Sequence, residues 1–344
     1  MTQAMDTFER QFGTYNAEEG RWVLDEVFLS RLTSYPFIGF LIGVPLGCCL
    51  SSHFGRRKLM CIISACGILT AAVTVGSGNQ ATILTGRILN YCYAGLELAV
   101  VPIFQSEIAP KQVRGLVIES YSLMHYFGGF IMSLLCFWTS TFEGNKQWRI
   151  PFACFFLAPA IIILGISSVP ESPRWLLIKG RDEDAMEALR KLRAGRFTED
   201  QIRDELEAAK AMLAQEMQSS WWDLIKGPNL KRTLITCGVN VFLQCTGNTF
   251  ASRFGTKYVK SLRLENVDPY IMTIYHQLAE FLGVMLSMIL VDIWGRRAML
   301  FCGGTIQAVA LLTMASLDIR GTSPKNQRGI LAMFSLAGLG LSLG

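Results

Sequence analysis

Residues 51–60 read Ser51-Ser52-His53-Phe54-Gly55-Arg56-Arg57-Lys58-Leu59-Met60, and residues 291–300 read Val291-Asp292-Ile293-Trp294-Gly295-Arg296-Arg297-Ala298-Met299-Leu300. Each stretch closes one long apolar run, turns within a few residues and opens the next. An aromatic-Gly-Arg-Arg string at two equivalent places implies two homologous halves related through the chain between them. The string is both turn and clamp. Glycine supplies the tight turn, and the arginines can bond carbonyls of helix ends and carboxylates of neighbouring helices.

The runs on either side of these turns belong to a longer series. A bilayer core takes about 20 apolar residues per helix. By that measure apolar spans fall at 34–52, 59–76, 83–105, 117–138, 150–169, 233–255, 269–291, 298–317 and 329–344, the last one short. Composition agrees: 51% of the 344 residues are hydrophobic and 17% charged, against about 25% charged in a soluble domain. The sequence therefore predicts an all-α membrane protein.

The same composition argues against other classes. The histidines are three, His53, His125 and His276, and far apart, which speaks against a soluble hydrolase or metalloenzyme; no motif calls for a cofactor or metal. The net charge of +5 comes from short clusters between apolar runs, without the aromatic interleaving of a nucleic-acid surface. Such clusters fit membrane orientation. All ten cysteines lie in apolar stretches and read as small hydrophobes.

Gly39, Gly43 and Gly47 recur every four residues in the first span, a spacing that lets a partner helix approach closely; Gly128 and Gly129 can serve the fourth span in the same way. Residues 170–232 form the long polar stretch. Within it Thr198-Glu199-Asp200-Gln201 reads as a capping box, followed by an amphipathic stripe at Ile202, Leu206, Ala209 and Leu213; 182–193 is a shorter helix of the same kind. The stretch carries too little apolar content for a core of its own, so it reads as a cytoplasmic connector. The excess of Lys and Arg then falls on the side of the long loop and of both Gly-Arg-Arg turns. The expected organisation is an extracellular polar segment (1–33), an N-terminal bundle (34–169), a cytoplasmic linker (170–232) and a partial C-terminal bundle (233–344). This orientation places the N-terminus outside, as though one helix were missing upstream.

Three further strings join the two turns: Ser106-Glu107-Ile108-Ala109-Pro110-Lys111-Gln112-Val113-Arg114-Gly115; Pro170-Glu171-Ser172-Pro173-Arg174-Trp175-Leu176-Leu177; and Lys179-Gly180-Arg181. With them the chain resembles the major facilitator superfamily, and within it the sugar porter branch, especially its fungal members. The resemblance implies the major facilitator fold, two helical bundles with inverted repeats working by alternating access. On that pattern the spans correspond to helices two through nine and part of ten, about eight or nine of twelve. Departures accompany the match. Ser52 and His53 stand where the family has Asp-Arg, Ile293 follows Asp292, and Ser122 falls at the family's sugar-contacting glutamine. Of the family's helix-seven string, Gln244 and Gly247 are kept.

From these readings follow the candidate residues. Arg56, Arg57, Asp292, Arg296 and Arg297 form the turns, with Glu107, Arg114, Glu171 and Arg174 as charges placed to pair with them and bias a two-state switch. Gln244, Thr246, Asn248, Thr249, Ser122 and Gln277 offer uncharged amides and hydroxyls suited to a neutral, hydroxylated solute. Ionisable residues inside spans are functional candidates by default: Glu97, ten residues from Arg87 and so expected to find a partner on another helix, and Glu280 with His276, four apart on one helix face and suited to proton-linked movement. The expected partners are the lipid bilayer, a small solute and H+, and the expected location is the plasma membrane. The expected function is transport of a sugar, polyol or related neutral solute. The alternatives are export of a fungal secondary metabolite, and a non-transporting sensor or nonfunctional truncated product.

Overall fold

Phe54 is the last residue of its helix because Gly55 takes φ 84° and ψ 166°, a region essentially reserved for glycine. Arg56 starts the next helix at once. Gly295 repeats the arrangement with φ 80° between helices ending at Trp294 and starting at Arg296. Even the first turns match: the amides of Leu59 and Met299 each bond back to their glycine carbonyl at 3.3 Å. The repeat seen in the sequence is thus a repeat of backbone geometry.

The computed structural model describes residues 1–17, 20–110, 112–216, 222, 225–245, 269–319 and 324–343. Its helices are α1 (Asp6–Phe12), α2 (Glu26–Ser34), α3 (Pro36–Phe54), α4 (Arg56–Val75), α5 (Gln80–Ile108), α6 (Arg114–Thr139), α7 (Lys146–Ala153), α8 (Leu157–Gly165), α9 (Pro173–Ile178), α10 (Asp182–Arg193), α11 (Glu199–Glu216), α12 (Gly227–Cys245), α13 (Pro269–Trp294), α14 (Arg296–Ile319) and α15 (Pro324–Leu343). A small hairpin, β1 (Thr14–Asn16) and β2 (Arg21–Val23), pairs antiparallel. Among the described residues seven helical stretches are long and apolar enough to cross a membrane: Glu26–Phe54, Arg56–Val75, Gln80–Ile108, Arg114–Thr139, Lys146–Ser168, Pro269–Trp294 and Arg296–Leu317. Two expected spans fall short of that standard. The run at 329–344 holds a shorter apolar helix, Gly329–Leu343, and 233–255 is helical to Cys245, beyond which it lies outside the described residues.

The chain divides into two compact units. One comprises Glu26–Ile118 and Phe152–Ile235. Its centre is the α3–α5 seam that the glycine spacing predicts. A Cβ on Gly39, Gly43 or Gly47 would land on the Ile88 carbonyl, the Cys92 carbonyl or Ala99 Cβ of α5. Leu59 and Ile63 of α4 pack on Leu96, Ala99 and Val100 of α5 beside this seam. In the linker, Thr198 caps α11 as expected, its hydroxyl accepting from Gln201 N at 3.4 Å while Gln201 Oε1 accepts from Thr198 N at 3.0 Å. Ile202 and Leu206 are buried, with Ala209 and Leu213 packed beside them. The expectation that this stretch has no core of its own fails. The linker does build a small core, because Trp175, Leu176 and Leu177 of α9 join Ala185, Ala188 and Leu189 of α10 against the α11 stripe. In the sequence those three α9 residues sit in a string dominated by Pro, Glu, Ser and Arg, which hides their apolar face.

The other unit comprises Met1–Asp25, Glu119–Pro151 and Thr236–Gly344. The N-terminal segment docks within it: Phe8 and Phe12 of α1 meet the ring of Trp148 edge-on at 5.8 and 5.5 Å, and Thr7 donates to Gln147 Oε1 at 2.6 Å. α15 packs on both α13 and α14. Close approach rests on glycines, since a Cβ on Gly340 would meet Gln307 and Gly303 of α14 and one on Gly338 would meet His276 of α13. Gly129 of α6 similarly faces Gln277 of α13, whereas Gly128 faces open space.

Candidate functional site

At the first Gly-Arg-Arg turn the clamp is complete. Arg56 forms a bidentate pair with Glu107 of α5, Nε to Oε2 and Nη2 to Oε1 both at 2.8 Å. The side chains are 10% and 6% exposed, so this is a buried ion pair with fork-to-fork geometry. Arg56 Nη1 also donates to the Ser51 carbonyl at 3.2 Å, taking up a carbonyl at the end of α3. Glu171 does different work. Its Oε1 accepts from the backbone amides of Arg56 (2.9 Å), Arg57 (3.1 Å) and Ser172 (3.0 Å), and its Oε2 from Arg57 N at 3.2 Å. A carboxylate therefore sits on the positive end of the α4 dipole and satisfies amides that the helix cannot satisfy itself. The Arg57 guanidinium bonds a carbonyl instead, Ser167 O at 2.8 Å, and Trp175 Nε1 reaches Ser52 O at 3.0 Å. The Pro-Glu-Ser-Pro-Arg-Trp string is thus the receptor for the turn. Gly55 leaves the room, because a Cβ there would strike the Glu171 carboxylate.

Arg114 and Arg174 were expected to pair at this clamp. Both line a separate cavity of about 160 Å³ together with Glu107, Glu205 and apolar residues of α10 and α11. Arg114 is exposed and makes no ion pair among the described residues. Arg193, which sequence reading passed over, is buried: it pairs with Glu205 (Nη2 to Oε1, 2.9 Å) and donates to Ile108 O at 2.9 Å, capping the end of α5.

The second turn has the backbone of the first without its clamp. Asp292, Arg296 and Arg297 are all exposed and make no ion pair among the described residues, although the Arg297 guanidinium carbon lies 5.8 Å from the Phe301 ring centroid. The expected pairing is therefore not made there. The physical reason is the absence, among the described residues, of a carboxylate placed as Glu107 and Glu171 are placed for the first turn.

Within the spans, His276, Gln277 and Glu280 gather on α13. Gln277 Nε2 donates to Glu280 Oε2 at 2.7 Å, His276 Nε2 lies 3.5 Å from Glu280 Oε1, and His276 Nδ1 lies 3.1 Å from the Phe334 carbonyl of α15. Glu97 contradicts its expectation: its hydrogen-bond partner is Tyr93, one turn back on its own helix. Ser122 is exposed on α6 and Gln244 at the end of α12. Thr246, Asn248 and Thr249 lie outside the described residues. Among the described substrate candidates, Gln277 is drawn into a polar cluster, and its amide is committed to Glu280.

Residues 1–341 match the family described as "Sugar (and other) transporter". The chain belongs to this sugar transporter family. Among curated relatives of this family member, hexose transporter HXT13 of Saccharomyces cerevisiae is 29% identical over 331 residues, covering 94% of this chain and 58% of the relative. High-affinity fructose transporter ght6 of Schizosaccharomyces pombe is 28% identical over 312 residues (85% and 57%). Major facilitator-type transporter ecdD of Aspergillus rugulosus is 28% identical over 340 residues (95% and 61%). The chain spans little more than half the length of these curated relatives. Among solved structures, the proton:xylose symporter XylE bound to 6-bromo-6-deoxy-D-glucose superposes with a TM-score of 0.79 at 19% identity, covering 99% of this chain and 74% of that one. The partially occluded, inward-open xylose transporter XylE of E. coli gives 0.74 at 20% identity (92% and 74%). The likeness shows the major facilitator fold, and the family match with the seven long apolar helices makes this a multi-pass membrane protein.

For this family member the sequence located the clamp residues but not their bonding. The partners it missed are Phe334 and Gly338, opposite His276, and Ser51. The signal that could have found the first two is the pair Gly338 and Gly340 in the last apolar run, small residues that mark a close helix crossing.

Proposed function

We propose that the protein carries a small neutral, hydroxylated solute, a sugar or polyol, across the plasma membrane by alternating access. One observation supports this above the rest: a buried ion pair, Arg56 with Glu107, and a carboxylate cap, Glu171, join two membrane helices to the linker at a glycine turn. An ion pair of this kind is costly to break on one side alone but can be exchanged as a unit, which suits an element with two arrangements. The test is radiolabelled hexose, pentose and polyol uptake in cells lacking their own carriers, with Arg56→Ala as the control. Saturable uptake that competes with unlabelled sugar and is lost in Arg56→Ala is the expected result. No uptake of any of these solutes by a chain shown to be at the cell surface discards the reading.

One feature favours outward movement of another metabolite as a second reading. Ser122 has neither the reach nor the paired donor and acceptor of the glutamine that the family places there. Preloaded cells that release a non-sugar metabolite faster than any sugar would favour it.

A further inference from the structure

His276 and Glu280 are 2% and 4% exposed, one turn apart on α13, at its crossing with α15. The crossing is tight there, since a Cβ on Gly338 would sit against His276 Cε1 and Nδ1 and near Glu280 Cγ. The His276 ring stacks on Phe334 with centroids 4.3 Å apart.

The hydrogen inventory of this cluster is constrained. The Phe334 carbonyl can only accept, so His276 Nδ1 at 3.1 Å carries a hydrogen. A neutral ring has no second one, and Nε2 is then a bare lone pair with no hydrogen-bond partner. It faces Glu280 Oε1 at 3.5 Å, longer than a formed hydrogen bond. Glu280 Oε2 is already served by Gln277. With no proton in the gap, a buried carboxylate confronts a lone pair with no cation to balance it, and with two protons a buried imidazolium has no counter-charge. Both are costly in an apolar interior. One proton satisfies both atoms, whichever of them carries it, and the two groups then titrate as a unit.

Among the described residues no cation pairs with Glu280, and the partners of the two groups are Phe334, Gln277 and each other. On α14, Arg296 and Arg297 are exposed in the first turn and make no ion pair among the described residues. Glu280 acts electrostatically on Tyr126 of α6, a helix that also carries Glu119 and an exposed His125.

We infer that His276 and Glu280 together hold a single exchangeable proton, a binding site on α13 whose occupancy is passed to α15 through Phe334. Closing the gap from 3.5 Å to a formed bond of about 2.7–3.0 Å moves the ring that both bonds and stacks on Phe334. The site itself is independent of transport, whereas its role in coupling a proton to solute movement rests on the transport reading above.

The experiment is infrared difference spectroscopy on the purified full chain in lipid nanodiscs, stepped from mildly acid to alkaline buffer. The expected result is loss of one buried carboxylic-acid or imidazolium signal that is absent in Glu280→Gln and changed in His276→Gln. Glu280→Gln keeps the shape of the side chain, and its monodispersity by size exclusion verifies folding. A wild-type spectrum with neither signal overturns the site. In the same preparations reconstituted into vesicles, the acid-to-alkaline uptake ratio should fall to unity in Glu280→Gln. The infrared signal without flux in any arm keeps the site and discards transport. Flux without the signal does the reverse.

Discussion

At the scale of single residues, Arg56 carries the sharpest consequence. Removing it leaves Glu107, whose side chain is 6% exposed, as an unpaired buried charge. Breaking one side of such a pair costs about 3–5 kcal/mol, so Arg56→Ala should lower the unfolding temperature in detergent strongly. Arg56→Lys should recover part of the loss, since an ammonium keeps the charge but not the two-pronged geometry. The two turn glycines make a matched comparison. Both hold positive φ, so alanine at either should cost roughly 1–3 kcal/mol of backbone strain. Only at Gly55 does the added Cβ also strike the Glu171 carboxylate, while at Gly295 it meets open space. Thermal unfolding should therefore rank Gly55→Ala well below Gly295→Ala; equal losses would mean that the Glu171 cap contributes nothing. Sequence reading named Arg56, Glu107 and Glu171 as partners because charges at helix ends are conspicuous in so apolar a chain. It could not foresee that the Arg57 side chain bonds the Ser167 carbonyl while its amide takes Glu171, because backbone donors leave no mark in a sequence.

At the scale of elements, the linker and the α3–α5 seam make different demands. Arg193 is 3% exposed and joins α11, through Glu205, to the last carbonyls of α5. Arg193→Ala should loosen α10 and α11, seen as faster amide exchange and easier proteolysis within residues 182–216. The pair Arg181–Asp184 is a useful control: its side chains are 56% and 48% exposed, so Arg181→Ala should change stability by less than about 1 kcal/mol. Gly43→Leu should prevent α3 from seating on α5, because the Cys92 carbonyl occupies the space any side chain needs; the measurable outcome is loss of a monodisperse peak in detergent. The every-fourth-residue glycine pattern announced that seam in advance. The small linker core was harder to see, because its third wall, Trp175-Leu176-Leu177, comes from a string whose polar residues dominate its reading.

At the scale of the molecule, the family match and the fold likeness define a multi-pass membrane architecture, and the shared backbone of the two Gly-Arg-Arg turns marks them as equivalent positions of a repeat. Epitope tags inserted at the 51–60 and 291–300 turns should report the same face of the membrane in intact cells. Opposite faces would contradict the repeat and with it the topology. The exposure of Asp292, Arg296 and Arg297 also predicts a functional asymmetry between the turns. Charge removal at Arg296 or Arg297 should lower the unfolding temperature much less than removal at Arg56.

Hydropathy, the duplicated turn and the glycine spacing determined the helical membrane fold, because each depends on the local period of the chain and on what glycine alone can adopt. The sequence also determined which ionisable groups had to be accounted for, since few survive in apolar runs without a reason. Tertiary structure alone decided how they are accounted for. It gave Glu97 a hydroxyl on its own helix, gave Glu171 to backbone amides, left the second turn without ion pairs among the described residues, and set His276 against a carbonyl 58 positions away. Pairings of that kind depend on which helix faces meet, and the partners contribute nothing to the sequence pattern around the residue they satisfy.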